Sequence, residues 1–354
     1  MMLGRGPWAL PLLALALLLT GVGCATHRPG RPEARTGDEM VAAGQFIHTG
    51  TRVVLWMDAG GYDAYRVERR FSPLNESDWE TSKAKVRELT TPNRYGLRQA
   101  VLTEAEAERV RGGGWDLPLL QRVLDQFVLH YDGSGTSRQC FRVLHDVRDL
   151  SVHFLLDLDG TIYQTLDLKE RAWHATSSNS RSVGIEIANL GAFRPGERSP
   201  LDEWYYTNAT GQMVLQVPPR FGPDTQRTPH FVGHPARGER IRGRVQGSDL
   251  EQFDFTPEQY AALIKLTAAL CATFPKLKCD YPRDPAGQLL TGKLPDPDLS
   301  RYQGLLGHYH IQLNKVDPGP AFQWDHLIQG ARQWLEPGQP RPQFRKGATC
   351  LVQQ

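Results

Sequence analysis

The chain has almost no excess of charge of either sign: 41 Lys and Arg stand against 39 Asp and Glu over 354 residues, a formal net charge of +2. With no run of basic residues either, nothing argues for nucleic acid as a partner. Cysteine is scarce. Of the five, none shows the Cys-x-x-Cys spacing of a zinc knuckle. No His-Glu-x-x-His segment is present, so a helical metallopeptidase site has no motif here. Internal repeats are absent, and no apolar stretch reaches the roughly 20 residues that a membrane-spanning helix needs. Hydrophobic residues at 40% and charged residues at 23% exclude a wholly disordered or fibrous chain. Glycine and proline are plentiful instead, at 34 and 25, and so many turn formers argue against a purely helical bundle. The length predicts one large domain with additions, or two domains.

The N-terminus departs from this average. Arg5 precedes a short apolar core from Trp8 to Leu19, then Gly21-Val22-Gly23 and Cys24. Residues 1–23 read as a secretory signal. Cys24 resembles a bacterial lipoprotein cleavage site, where the thiol is acylated and becomes the mature N-terminus; plain secretion is the alternative. The expectation is an exported protein, lipid-anchored on the periplasmic side of the outer membrane, with no other contact with the bilayer. Residues 25–44, rich in Pro, Gly and Arg, read as a flexible tether. Four cysteines remain, Cys140, Cys271, Cys279 and Cys350. Export permits disulfides among them, with three pairings open.

Further along, Arg52 to Trp56 and Tyr62 to Val67 read as strands around a turn at Asp58-Ala59-Gly60-Gly61. Thr103 and Glu106 form a capping-box pattern for a helix that Gly112-Gly113-Gly114 ends. The stretch 45–115 carries no recognisable chemistry and reads as an accessory region. From 116 to 336 the signals sharpen. Phe127-Val128-Leu129 is an apolar strand running into His130. Val152 to Leu158 and Thr161 to Leu166 make a hairpin about Asp159-Gly160, and Val183 to Ile187 is a further strand containing Glu186. Thr256-Pro257-Glu258-Gln259 opens an amphipathic helix with Tyr260, Leu263, Ile264 and Leu270 on one face. A central mixed sheet with flanking helices follows, an α/β fold. A long insertion occupies about 191–253, and 337–354 reads as a loose tail.

The segment from Gly307 to Pro320 holds His308 and Asp317 nine positions apart, with Lys315 two before the acid. Imidazole and carboxylate suit Zn²⁺, whose catalytic sites use three protein ligands and leave a position to water. Taken alone, the segment is also compatible with an ordinary loop. A third ligand would decide, and His130 at its strand end is the candidate.

Several motifs stand in order: the strand ending in His130; Ser151 to Asp157 with Asp159 to Gln164; Ala172-Trp173-His174-Ala175; Ser182 to Glu186; and Lys315 to Phe322. In these the chain resembles the type 2 zinc-dependent N-acetylmuramoyl-L-alanine amidases, the group related to peptidoglycan recognition proteins, from about Phe127 to Trp324. The resemblance implies that His130, His308 and Asp317 hold zinc. It implies that Glu186 handles the proton of the attacking water and that Lys315 stabilises the developing oxyanion. Trp173 and His174 would line the substrate groove, His174 having a structural role as its alternative. The implied partner is peptidoglycan or its muropeptides, cut between the lactyl group of muramic acid and L-alanine during wall turnover, by a monomeric enzyme. His310 competes with His308 as ligand; His308 is favoured because it follows Gly307. His153 reads as structural, and His145, His230, His234 and His326 as surface or loop residues. Glu186 and Lys315 could instead face solvent. Two other functions stay open, a non-catalytic peptidoglycan-binding module and a zinc peptidase acting within the stem peptide.

Overall fold

Short apolar runs bounded by turn residues assemble into one six-stranded sheet in the computed structural model, which describes residues 29–85, 91–222 and 226–336. The signal segment, Cys24, Cys350 and the tail 337–354 lie outside the described residues. In chain order the strands are β1 (Val53–Leu55), β2 (Gln126–Tyr131), β3 (Phe154–Leu156), β4 (Ile162–Gln164), β5 (Ser182–Ile187) and β6 (Gly304–Gly307). Their spatial order is β6-β2-β5-β3-β4-β1. Only the β3–β4 hairpin is antiparallel; the other four pairings are parallel. The sheet is therefore mixed, as the pattern of runs predicts.

Alternation along the strands sorts two faces. Phe127, Leu129, Val183, Ile185 and Ile187 pack into the main core with Leu263, Leu266 and Leu270 of helix α1 (Pro257–Thr273) and Leu327 and Ile328 of helix α2 (Trp324–Leu335). Thr256 caps α1 through a complete capping box with Gln259, and Pro257 occupies its first turn. The opposite face carries His130 and Glu186, one step out of phase with those core residues. It is partly covered by Ser137–Phe141 and the π-helical turn Arg142–Val147 that continues it.

Three expectations change. Residues 39–44 are not tether: Glu39–Ala42 pairs with Gln45–His48 through a turn at Ala43-Gly44, and Met40, Val41 and Ala42 are buried in the main core. Tyr62 to Val67 forms no strand. The Tyr62 ring instead packs against Phe141 and Tyr163, centroids 5.1 and 4.5 Å away, so its apolar surface is spent in a second core cluster rather than along a ladder. Region 45–115 supplies β1, so backbone pairing joins it to the central sheet.

The insertion folds as two hairpins, Tyr205–Thr207 with Met213–Leu215 and Ile241–Val245 with Ser248–Gln252. Trp204, Tyr205, Leu215 and Phe253 give it an apolar cluster of its own. Cys140, Cys271 and Cys279 are free thiols. Among the described residues no helix is long and apolar enough to cross a membrane.

Candidate active site

Parallel pairing brings the chemistry to one sheet edge. His130 and Glu186 are direct register partners on β2 and β5. Leu129 pairs with Gly307, so His308, the next residue after β6, arrives level with His130. Side groups at the carboxyl ends of neighbouring parallel strands converge in this way wherever the strands are in register. Asp317 returns on the following loop, where its carbonyl accepts from the Tyr309 N–H at 3.3 Å.

The three side chains meet atom to atom. His130 Nδ1 lies 3.0 Å from His308 Nδ1 and 2.8 Å from Asp317 Oδ2, and His308 Nδ1 lies 3.0 Å from the same oxygen. All three residues are buried. The far nitrogens have partners of their own. His308 Nε2–H donates to Gln312 Oε1 at 2.6 Å, leaving the Nδ1 lone pair directed inward. His130 Nε2 sits 3.0 Å from His174 Nδ1, and His174 Nε2 lies 3.2 Å from Ser182 Oγ. Burial, and after it the neighbouring His308, lowers the His130 pKa to about 4, so this imidazole is neutral at pH 7. Burial would raise Asp317, but its contacts with His130 and His308 hold it well below the carboxylate range. Two imidazole nitrogens and a carboxylate oxygen, brought to one point with outer partners on both rings, are a donor set that could hold a metal.

His310 is the rival that the geometry removes from this point. It is fully buried, its Nδ1 accepts from the Gly307 N–H at 2.8 Å, and its Nε2–H donates to the Leu290 carbonyl at 2.7 Å. Both nitrogens are occupied. His153 is likewise structural: Nδ1 accepts from the Gly184 N–H and Nε2–H donates to the Glu170 carbonyl. His145 is not a surface residue. It is buried, stacked on Phe141 and bonded to Asp146 and the Arg66 carbonyl. His230 and His326 are exposed, and His234 is half-buried against the Met213 carbonyl.

A cleft of about 340 Å³ opens over the cluster, lined among others by Trp173, His174, Glu186 and Lys315. Burial, then the charges of Asp317 and Asp132, push the Glu186 carboxyl well above its usual range, with Lys315 and Arg148 opposing. Trp173, which lines the cleft, has a buried indole N–H with no partner among the described residues. His174 lines the cleft and also touches His130. Gly184 makes room for that ring, since a Cβ there would lie 2.5 Å from His174.

Sequence reasoning missed the braces. Gln246 of the insertion donates to the carbonyls of Tyr309 and Gln312 at 2.7 and 2.9 Å, and Gln252 donates to the Pro318 carbonyl at 3.1 Å. Gly319, at φ +87°, lies so close to Gln252 that any Cβ would fall 2.2 Å from Oε1. The insertion thus clamps the loop between His308 and Asp317. No local pattern marks a glutamine for such a task.

Among the described residues one other group brings three donors together, Asp38, Glu39 and His48. Its carboxylates are already taken by donors from Thr36, Gly37 and Gly50, an arrangement that folds a turn.

The fold and this buried two-histidine, one-aspartate cluster define an α/β protein with a candidate hydrolytic centre at the edge of its sheet. A family model described as N-acetylmuramoyl-L-alanine amidase matches residues 120–320, more than half of the chain. The chain belongs to that family and is an amidase of that class. Solved structures similar to it include an AmpD derivative at 17% identity, covering 67% of this chain and 89% of that one with a TM-score of 0.33. Another is the Escherichia coli amidase AmiD in complex with an anhydro-muropeptide substrate, at 20% identity, 58% and 57% coverage and a TM-score of 0.32. A third is the endolysin amidase LysCS of Clostridium intestinale, at 15%, 60% and 86%, with a TM-score of 0.30. No curated protein matches.

Proposed function

We propose that the protein is a zinc-dependent amidase that cleaves the bond between the lactyl group of N-acetylmuramic acid and L-alanine in peptidoglycan or its muropeptides, during wall turnover. The observation that carries the reading is the convergence of His130 Nδ1, His308 Nδ1 and Asp317 Oδ2 beside Glu186 in a chain of this family. The donors fit zinc in kind and number. Held by these three residues, zinc would supply Lewis acidity to the carbonyl and to the attacking water.

The chain's own residues do the rest. Glu186 accepts a proton from the water as its oxygen adds to the carbonyl carbon. It then delivers that proton to the alanine nitrogen as the C–N bond breaks. A carboxylate desolvated beside Asp317 is a stronger base than one in water, which suits both transfers. The Lys315 ammonium faces the same cleft and offsets charge growing on the carbonyl oxygen. Trp173 and His174 wall the groove that holds the stem peptide.

The leader and Cys24 support a further part of the proposal, export and lipid anchoring in the cell envelope, on sequence grounds alone. Incubating zinc-loaded protein with muropeptides and weighing the products tests the activity. Intact stem peptides with a free L-alanine amine are expected. Cuts inside the peptide, or no cuts, refute it.

A further inference from the structure

The segment Ser137–Val147 has two working sides. Cys140, Val143 and Leu144 line the catalytic cleft. Arg138, Gln139 and Arg142 line a second cavity of about 700 Å³, together with Arg70, Phe71 and Arg220. Four arginines around one cavity stand out in a chain of formal charge +2. All four are exposed, and among the described residues no carboxylate lines the cavity. Arg220 is shared with Glu203, and Arg70 Nη1 donates to the Gly61 carbonyl at 2.8 Å. Arg138 and Arg142 have no ion pair among the described residues.

The cavity wall is built rather than incidental. Buried Asp146 accepts from the backbone N–H groups of Arg70 and Phe71 at 3.3 and 2.8 Å, which pins this loop to the helical segment. The Phe71 ring then lies under two guanidinium groups, 4.7 Å from Arg138 and 5.6 Å from Arg70. Arg220 stacks on Phe221 at 4.8 Å. Guanidinium planes held against rings lose little freedom on binding and leave their N–H edges for an anion. Planar, paired donors of this kind match carboxylates.

We propose that this arginine cavity is a second peptidoglycan subsite, which takes the free carboxylates of a stem peptide other than the one being cut. The proposal rests on the amidase reading above, because a polymer threaded through the catalytic cleft presents further anionic stems to the other side of the same helical segment. A single muropeptide has no second stem to offer. The cavity therefore selects polymer over fragments.

The test uses the full zinc-loaded chain, as wild type and as Arg138→Glu/Arg142→Glu, with Arg138→Gln/Arg142→Gln as the milder pair should the first fail to fold. Against soluble polymeric glycan strands bearing stems, kcat/KM is expected to fall about tenfold or more, as for loss of charge-assisted contacts. Against a monomeric disaccharide–peptide it stays within about twofold. Co-sedimentation with polymer in a Glu186→Gln background should weaken by a similar factor, and this arm reads out whether or not the enzyme is an amidase. Equal losses on both substrates, or unchanged co-sedimentation, overturn the proposal. So does binding to phosphatidylglycerol vesicles that the variants abolish while polymer kinetics hold, which would make the cavity a lipid site. Absence of muramyl-amide cleavage by wild type alongside variant-sensitive co-sedimentation would refute the catalytic reading and leave the subsite standing.

Discussion

Replacing Gln312 by Ala removes the acceptor of the His308 Nε2–H while touching neither the imidazole nor the backbone. The bond is short, 2.6 Å, and His308 is buried. Without it, the ring no longer has a fixed tautomer, and Nδ1 carries the proton in a share of molecules. Loss of such an outer partner costs roughly 10–100-fold in metal affinity, or about 1.4–2.8 kcal/mol. Competition for zinc against a chelator of known affinity measures this without reference to activity. Gln312→Glu keeps an acceptor and makes it stronger, so affinity should return to the wild-type level or above. The Gln312 carbonyl, which accepts from Gln246, is present in every variant and keeps the loop clamped. Unchanged zinc affinity in Gln312→Ala would refute the reasoning. An equal loss in Gln312→Glu would also do so, by showing that the side chain acts through packing.

The remaining predictions address separate links of the argument. His308→Ala should lose zinc, whereas His310→Ala should keep one zinc per chain and lose stability. The latter strands the Gly307 N–H and the Leu290 carbonyl, each costing about 1–3 kcal/mol in denaturant titration. Glu186→Gln and Lys315→Ala should retain zinc and lose rate, for Lys315 by roughly 10²–10³-fold in kcat as for an oxyanion donor. Buried Asp157 is raised to about 8, first by burial and then by Asp159, so the folded state keeps a proton that the unfolded state releases near pH 4. Its stabilising contribution is full below about pH 4 and is lost as pH rises through about 8. Asp157→Asn should flatten the fall of Tm across that window, and a fall as steep as wild type would exclude Asp157 as its source. Cys24→Ala should move the protein from the membrane to the soluble fraction of cells, as fractionation will show.

Strand patterns and caps were legible because they are local. Phe127 to Leu129, Val183 to Ile187 and the Thr256 capping box each carry their signal within a few residues, and each appears in the fold within about two residues. The Tyr62 run misled because β-propensity reports a half-buried surface, and an aromatic cluster on a loop meets that condition equally well. His308 and His310 were separable by sequence only through resemblance. What divides them physically is a pair of backbone groups, Gly307 N–H and Leu290 carbonyl, and Leu290 lies 20 positions from the histidine that it binds.

The same reasoning explains where the insertion's contribution was hidden. Parallel register alone brings Glu186 and His308 to either side of His130, each about one strand spacing of 4.8 Å from it. Asp317 has no strand to hold it. Its position depends on a loop whose carbonyls at Tyr309, Gln312 and Pro318 are tied to Gln246 and Gln252, at the turn and the far end of one hairpin. A donor set is only as rigid as its least supported member. The hairpin Ile241–Gln252 is therefore part of the site, although it supplies none of the three donors.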